Sequence, residues 1–166
     1  MINNTDYPEN INRQYATLSE RADLLYSFVE KYNDYINGTR DYGTGLMISM
    51  VEVHMLTMIY DNPGTTVSDL AGVWNRTKSA VSQNITKLKK KGLIFGERDE
   101  NNAKIIHLYV TDEGETLTMA HKSYDISDLK KTQDALAEKC TTEEIKSFYK
   151  VLDIYYQHMM ILSGRE

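Results

Sequence analysis

The chain has 166 residues, 41% hydrophobic and 26% charged, which is the length and apolar content of one folded globular domain. Its start has neither the cationic segment nor the apolar segment of a signal peptide, and no apolar run approaches the length of a membrane span. Because Cys140 is the single cysteine, an intrachain disulfide is excluded, and we expect a cytoplasmic protein without a membrane partner.

Two helices are predicted in the first third of the chain. Residues 1–16 are rich in asparagine and are expected to form an N-terminal tail. In residues 17–38 apolar side chains recur at alternating steps of four and three, and the pattern stops before Gly38, which predicts one long amphipathic helix. A glycine-containing link then leads to residues 46–60, whose many apolar residues predict a mostly buried helix.

A helix-turn-helix pattern follows. Thr66 and Asp69 have the spacing of a capping box, which predicts the start of a short helix, and Arg76 lies in the turn that ends it. Thr77 can cap a second helix over residues 78–91, which has apolar residues at helical spacing on one face. Hydroxyl, amide and lysine side chains on the opposite face are typical of a recognition helix that enters a DNA groove. That face consists of Lys78, Ser79, Ser82, Gln83, Thr86 and Lys89.

A β-hairpin is predicted directly after the second of these helices. Gly92 follows the helix at the position where a positive φ is favoured. Two strand-like runs, Leu93–Arg98 and Lys104–Val110, are separated by a polar turn of hairpin length. Their alternating pattern predicts one face on the helices and one in water, so we interpret this hairpin as a wing.

Two more helices are predicted after the wing, over residues 111–139 and 141–163. Thr141 and Glu144 repeat the capping-box spacing at the start of the last helix, and apolar residues then recur in a seven-residue repeat. One chain cannot easily bury this stripe together with that of the first helix, so we expect helices that pack across a two-fold axis. A monomer with an intramolecular helical hairpin is the alternative.

Positive charge is concentrated in the middle of the chain. The segment from Thr65 to Thr111 has eight lysines and arginines against four acidic residues, so it is positive by four. Since the whole chain has a net charge of −5, the other residues are negative by nine. A basic lobe attracts phosphates while acidic flanks keep the rest of the protein off the DNA. The alternative interpretation of the lysine run Lys87–Lys91 is that it only solvates an exposed helix end and binds no phosphate.

Four pieces of the chain resemble, in their order, the MarR family of bacterial winged-helix transcriptional regulators. They are Val67–Ala71, Thr77–Gln83, Leu88–Ile94 and Val110–Gly114. The resemblance implies a mainly α fold with a small β-hairpin wing, in which a winged helix-turn-helix is flanked by long dimerisation helices. It also implies a homodimer that binds an inverted-repeat operator, often represses transcription and often releases DNA when a small-molecule effector binds.

The resemblance also implies a domain organisation. Residues 17–166 are expected to form a single domain after the tail of residues 1–16. Within that domain, residues 46–111 form the DNA-binding lobe, and the dimerisation helices span residues 17–38 and 112–163.

The chain departs from the family's pattern in two respects. The family often has Asp-x-Arg in the wing, where the aspartate orients an arginine that enters the minor groove, and these positions hold Asn102 and Lys104 here. Lysine is a poorer planar donor than arginine, so we expect the wing to contact mainly phosphates, with help from Arg98. Arg76 replaces a residue that is usually apolar, and we expect its long side chain to reach a phosphate.

The expected site is therefore a DNA-binding surface. Phosphate contacts should supply most of the affinity, and Ser79, Ser82, Gln83 and Thr86 most of the sequence choice. The full set of predicted DNA-binding residues is Arg76, Thr77, Lys78, Ser79, Ser82, Gln83, Thr86, Lys87, Lys89, Arg98 and Lys104.

An enzyme is not predicted, because the sequence has no glycine-rich phosphate loop, nucleophile elbow or metalloprotease motif. We expect no catalytic residue, no cofactor and no metal. The main alternative is a winged-helix adaptor that binds another protein, in which the lysine run Lys87–Lys91 docks an acidic partner.

A zinc-responsive regulator of the same family is a further alternative. His121 and Asp125 are four residues apart on one predicted helix, and His54 lies where zinc-responsive members of the family place a histidine, but a fourth ligand is not evident. Ordinary polar histidines are the favoured interpretation. For Cys140 a structural role is favoured over oxidant sensing, because Glu138, Glu143 and Glu144 nearby in sequence oppose formation of its thiolate.

Overall fold

A computed structural model describes residues 6–162, which form six α-helices and two small antiparallel sheets. The elements are α1 Asp6–Asn37, β1 Thr39–Arg40, β2 Ile48–Ser49, α2 Met50–Asp61, α3 Val67–Val73, α4 Lys78–Lys90, β3 Ile94–Arg98, β4 Ile106–Val110, α5 Asp112–Ala137 and α6 Thr142–Leu162. The predicted class, mainly α with a β-hairpin wing, is confirmed.

The first two helices begin at other residues than predicted. Helix α1 begins at Asp6, within the segment expected to be a tail. Pro8 is compatible with this first turn, because the backbone amides of a first helical turn have no acceptor within the helix. Helix α2 begins at Met50, four residues later than predicted. Ser49 ends the preceding strand by forming a capping box with Glu52, in which the Glu52 amide donates to Ser49 Oγ at 3.3 Å.

The predicted caps of the helix-turn-helix are confirmed. Thr66 Oγ1 accepts from the Asp69 amide at 3.3 Å, and the Thr66 amide donates to Asp69 Oδ2 at 2.9 Å. Thr77 Oγ1 accepts from the Ala80 amide at 3.3 Å and begins α4. Gly92 follows α4 with φ +71°, the left-handed conformation that a side chain disfavours.

One hydrophobic core holds α2, α3, α4 and the wing together. Helix α4 contributes Val81, Ile85 and Leu88, which are 0–5% exposed, so one face of this helix is fixed against the core. The other fully buried large side chains of this core include Ile48, Val53, Met55, Leu56, Ile59, Leu70, Leu93, Leu108 and Leu117. The opposite face of α4 is left for solvent or a partner.

The wing is a five-residue by five-residue antiparallel hairpin in which Ile94 pairs with Val110 and Arg98 with Ile106. Strand β4 begins at Ile106, later than the predicted Lys104, because the Ile105 amide donates to Asn102 O at 2.8 Å and so belongs to the turn. Beyond the wing, Thr111 Oγ1 donates to Gly92 O at 2.7 Å, which joins the end of β4 to the end of α4.

The chain divides into two compact units at Ala120, whereas one domain from residue 17 to residue 166 is expected from the sequence. The first unit contains the helix-turn-helix and the wing. The second begins at His121 and contains the later part of α5 and all of α6. Helix α6 begins as predicted, because Thr141 and Glu144 form the capping contacts.

Both long terminal helices carry exposed apolar side chains. No residue of α6 is buried, and its exposed apolar residues include Phe148, Leu152, Tyr155 and Met159 at 42–53% exposure. Helix α1 exposes a stripe that includes Phe28 and Tyr32, whose rings stack at a centroid distance of 5.8 Å. No helix among residues 6–162 has both the length and the apolar character to cross a membrane.

Candidate nucleic-acid interface

The exposed face of α4 carries the residues predicted for base recognition. Lys78, Ser79, Ser82, Gln83 and Thr86 are all exposed, and so is every other predicted DNA-binding residue. The Thr86 hydroxyl donates to Ser82 O at 2.8 Å, so its oxygen still has lone pairs available to accept. The buried apolar face holds the helix rigidly while this polar face stays accessible.

The ends of α4 have the electrostatics that an anionic partner requires. Its first turn has no acidic residue, so the positive end of the helix dipole is not neutralised locally. Its last turn carries Lys87, Lys89 and Lys90. The Lys89 ammonium lies 2.8 Å from the position that a Cβ on Gly96 would occupy, which places this charge between α4 and the wing.

Lys91 has a structural role that the sequence pattern did not reveal. Its Nζ donates to Glu52 Oε2 and to Met47 O, both at 3.1 Å, and Glu52 is only 5% exposed. Burial alone would raise the pKa of Glu52, but hydrogen bonds from Ser49 and Lys91 outweigh it and hold the pKa below 4.5. This contact ties the end of α4 to the start of α2.

We expect Glu52→Gln to reduce the free energy of unfolding by about 1–3 kcal/mol at neutral pH, because the Lys91 ammonium loses its buried anionic partner. Since the folded pKa of Glu52 is lowered, its contribution is present above pH 4.5 and is lost as the pH falls through the folded pKa. Urea unfolding of wild type and variant between pH 3 and pH 7 measures this. Equal stabilities at pH 7 would contradict it.

The turn of the wing lies between two exposed cations, Arg98 and Lys104. Asp99 Oδ1 accepts from the amides of Asn101 and Asn102, at 2.9 and 2.8 Å. Asn102 Oδ1 accepts from the Lys104 amide at 3.1 Å, so this asparagine shapes the turn even though its uncharged side chain cannot form a salt bridge. The two side-chain caps give the tip of the wing a defined conformation.

His107 was not identified from the sequence, where it alternates onto the outer face of a strand. Its Nδ1 lies 2.8 Å from Gly64 O and its Nε2 lies 3.0 Å from Asp99 Oδ2. The Asp99 carboxylate, and next the Gly64 carbonyl, raise the pKa of His107 above 6.5. The same contact lowers the pKa of Asp99. The contacts of His107 with Gly64 and Asp99 are formed only in the folded chain, so the sequence pattern does not reveal them.

The residues of the zinc alternative fall in both units. His121 Nε2 lies 3.2 Å from Asp125 Oδ2 within α5, in the second unit, and His121 is 3% exposed. His54 lies on α2, in the first unit. Cys140 is exposed in the link between α5 and α6. Zinc binding and oxidant sensing, the two alternatives that the sequence disfavours, stay untested.

A model described as the MarR family matches residues 48–106, the part of the chain from β2 to the start of β4. The HTH-type transcriptional regulator YhjH of Bacillus subtilis (strain 168), itself uncharacterized, is 27% identical over 124 residues, which are 73% of this chain and 71% of that protein.

The solved structures with a similar fold include the following two. That of Streptococcus pneumoniae FabT in complex with DNA is 25% identical, with a TM-score of 0.64, over 89% of this chain and 99% of FabT. That of Lactococcus lactis ZitR, described as a zinc-responsive MarR family member, is 17% identical, with a TM-score of 0.67, over 86% of this chain and 99% of ZitR. The second likeness concerns the fold alone.

Proposed function

This chain is a MarR-family winged helix-turn-helix protein, and from that premise we propose that it regulates transcription by binding an inverted-repeat DNA operator as a homodimer. We further propose that it acts in the cytoplasm as a repressor and that a small-molecule effector releases it from DNA. The FabT structure in complex with DNA supports the proposed mode of binding.

The single observation that carries the proposal is the two-sided character of α4. Val81, Ile85 and Leu88 are buried on one side, and the hydroxyl, amide and lysine side chains are exposed on the other. A helix fixed in this way can enter a major groove without reorganising its own backbone. Its exposed side chains can then accept from and donate to base edges while neighbouring lysines contact phosphates.

The wing extends the same surface. Arg98 and Lys104 are exposed at its tip, and the Lys89 ammonium lies between the wing and α4. We infer that α4 enters the major groove while the wing contacts the adjacent phosphate backbone. Arg76 and Thr77, both exposed just before α4, lie where a phosphate can approach the start of that helix.

Dimerisation is proposed from the exposed apolar stripes of α1 and α6. Tyr15, Leu18 and Tyr32 on α1 are 53–72% exposed, and no residue of α6 is buried. Leaving so many large apolar side chains in water is unfavourable, and association with a second copy of the chain buries them. A two-fold axis would present two recognition helices to major grooves about 34 Å apart, which requires an inverted repeat.

The division between base recognition and charge gives a testable prediction. Gln83→Ala should change the preferred bases, by about 1–3 kcal/mol at the position that Gln83 contacts, with little change in salt dependence. Lys89→Ala should instead weaken binding to every sequence and lower the salt slope by about 0.9 per chain. Filter binding over operator variants and a salt series measures both. Equal effects of the two substitutions would reject the division.

A protein-binding adaptor is the competing function. In that case the exposed lysines Lys87, Lys89 and Lys90 would dock an acidic partner instead of DNA. Steeply salt-dependent binding to random duplex DNA favours the regulator, because released counterions dominate non-specific association. No binding at low salt favours the adaptor.

A further inference from the structure

His107 connects the tip of the wing to the segment that leads into α3. Its ring lies between Gly64 O, which precedes α3, and Asp99 Oδ2, at the start of the wing turn. The Gly64 amide also donates to Leu108 O at 2.9 Å, so the main chain holds this segment against β4 beside the histidine. The side chain of His107 adds the link that reaches the turn.

Both ring nitrogens of His107 face oxygen atoms that can only accept. Gly64 O is a carbonyl oxygen and Asp99 Oδ2 belongs to a carboxylate, at 2.8 and 3.0 Å respectively. A neutral imidazole donates from only one nitrogen, and its other nitrogen would direct a lone pair at an oxygen. An imidazolium donates from both nitrogens. The geometry therefore fits the protonated ring.

The charged groups around His107 favour the same state. Asp99 is the hydrogen-bonded partner, and Asp69 on α3 adds a more distant attraction. Glu97 pairs with His107 across the two strands of the wing, so its side chain lies on the same face of the hairpin. Asp99 and Asp69 stabilise the cation, and Glu97 is a third acidic residue on the same face of the hairpin.

The contact from His107 ends at Asp99, the carboxylate that shapes the turn of the wing. Asp99 Oδ2 faces His107, while Asp99 Oδ1 accepts from the amides of Asn101 and Asn102. The turn formed in this way separates Arg98 from Lys104, the two exposed cations at the tip. Orienting one carboxylate therefore orients the turn that presents both cations.

We propose that His107 is a positioning residue of the DNA-binding wing: its imidazolium holds Asp99, and through Asp99 the turn between Arg98 and Lys104, in the conformation that contacts the phosphate backbone. This inference rests on the proposed DNA-binding function. It adds that the contact of the wing with the phosphate backbone weakens as the pH rises through the pKa of His107. The recognition helix, which His107 does not touch through either hydrogen bond, keeps its own contacts.

The direction of the pH effect follows from the raised pKa of His107. The imidazolium that donates both hydrogen bonds is fully present below pH 6.5, which is the ordinary pKa of histidine. It is lost as the pH rises through the raised pKa. We therefore expect duplex affinity to decline as the pH rises through the raised pKa of His107, at constant ionic strength. Losing one charge-assisted hydrogen bond that orients the wing should weaken binding about threefold to tenfold.

The first test uses the free protein and needs no DNA. In wild type, the amide resonances of Asn101 and Asn102 should shift with pH at the same midpoint as the His107 ring, above 6.5. Asp99→Asn should lower that midpoint while keeping the turn, since an amide oxygen can accept the same two bonds. Glu100→Gln is the matched control, because it removes an equal charge from the same turn without removing the His107 contact. A ring that titrates at or below 6.5 would overturn the proposal.

The second test measures binding of the full chain to duplex DNA from pH 6 to pH 9 at fixed ionic strength. His107→Asn keeps a hydrogen-bond donor near Gly64 O but cannot offer a charged donor to Asp99. Its affinity for duplex DNA should therefore stay, at every pH, at the weaker value that wild type reaches at high pH. Asp99→Asn should move the decline to lower pH and serves if His107→Asn folds poorly. A His107→Asn profile identical to wild type would overturn the proposal. If neither wild type nor any variant bound DNA, the proposed function would be rejected. The resonance titration would still decide whether the His107 imidazolium holds Asp99 and the wing turn.

Discussion

A Gly114→Ala variant is expected to lose about 3 kcal/mol or more of its free energy of unfolding. A Cβ at this position would lie 2.1 Å from Leu93 O and 3.0 Å from the Leu93 carbonyl carbon, closer than nonbonded atoms approach. The obstacle is backbone, so it cannot rotate away. Leu93 O also accepts from the Thr111 amide at 3.0 Å, and moving it would separate the wing from α5.

Urea unfolding of wild type and Gly114→Ala at neutral pH measures this loss. Gly72→Ala is the matched control, because Gly72 lies within α3 and a Cβ there would meet no atom within 4 Å beyond the helix's own backbone. That substitution should be neutral or should stabilise by about 0.5–1 kcal/mol, since alanine favours a helix interior over glycine. A Gly114→Ala protein within about 1 kcal/mol of wild type would show that the close approach is not present in solution.

A Leu152→Glu variant is expected to lose operator affinity by about 100-fold or more. Leu152 lies in the apolar repeat of α6 and is 42% exposed in the single chain. In a dimer, Leu152→Glu would bury a carboxylate that has no partner. The free-energy cost of burying that charge opposes association of the two chains. Monomers would then bind one half-site at a time and lose the second set of contacts.

Sedimentation and duplex binding, measured together, test this second prediction. Lys150→Glu is the control, because it adds negative charge to the same helix at a position outside the apolar repeat. Lys150→Glu should remain dimeric and bind DNA with at most a small change. A Leu152→Glu protein that still sediments as a dimer would place the interface away from α6.

The parts of the fold that can be predicted depend on residues near each other in sequence. Thr66 and Thr77 each cap a helix by accepting from the amide three residues later, and Gly92 ends α4 through its own backbone conformation. These local contacts leave a pattern in the sequence that can be recognised without a structure. The same is true of the exposed and buried faces of α4, which follow from helical spacing.

The parts that sequence patterns miss depend on residues far apart in the chain. Lys91 contacts Glu52 across 39 positions, and His107 contacts Gly64 across 43. In the sequence Lys91 is one of several lysines at a helix end, and His107 is a polar residue on a half-exposed strand. Tertiary packing brings each to its partner, so spacing alone could not assign either role.

The first helix shows the same limit. A polar, asparagine-rich start favours a tail, yet the structure continues α1 back to Asp6. In the second helix the capping box of Ser49 and Glu52 determines the start, and the apolar run obscures it because that run begins earlier, at Leu46. Local hydrogen bonding therefore outweighs the hydrophobic pattern at that boundary.

The most direct measurement is the number of chains bound to one inverted-repeat duplex, determined by sedimentation of the complex in dilute buffer. Two winged surfaces related by a two-fold axis predict two chains on each duplex, with affinity that falls steeply as salt is added. A single chain on each duplex, or a duplex left unbound even at low ionic strength, would contradict the account.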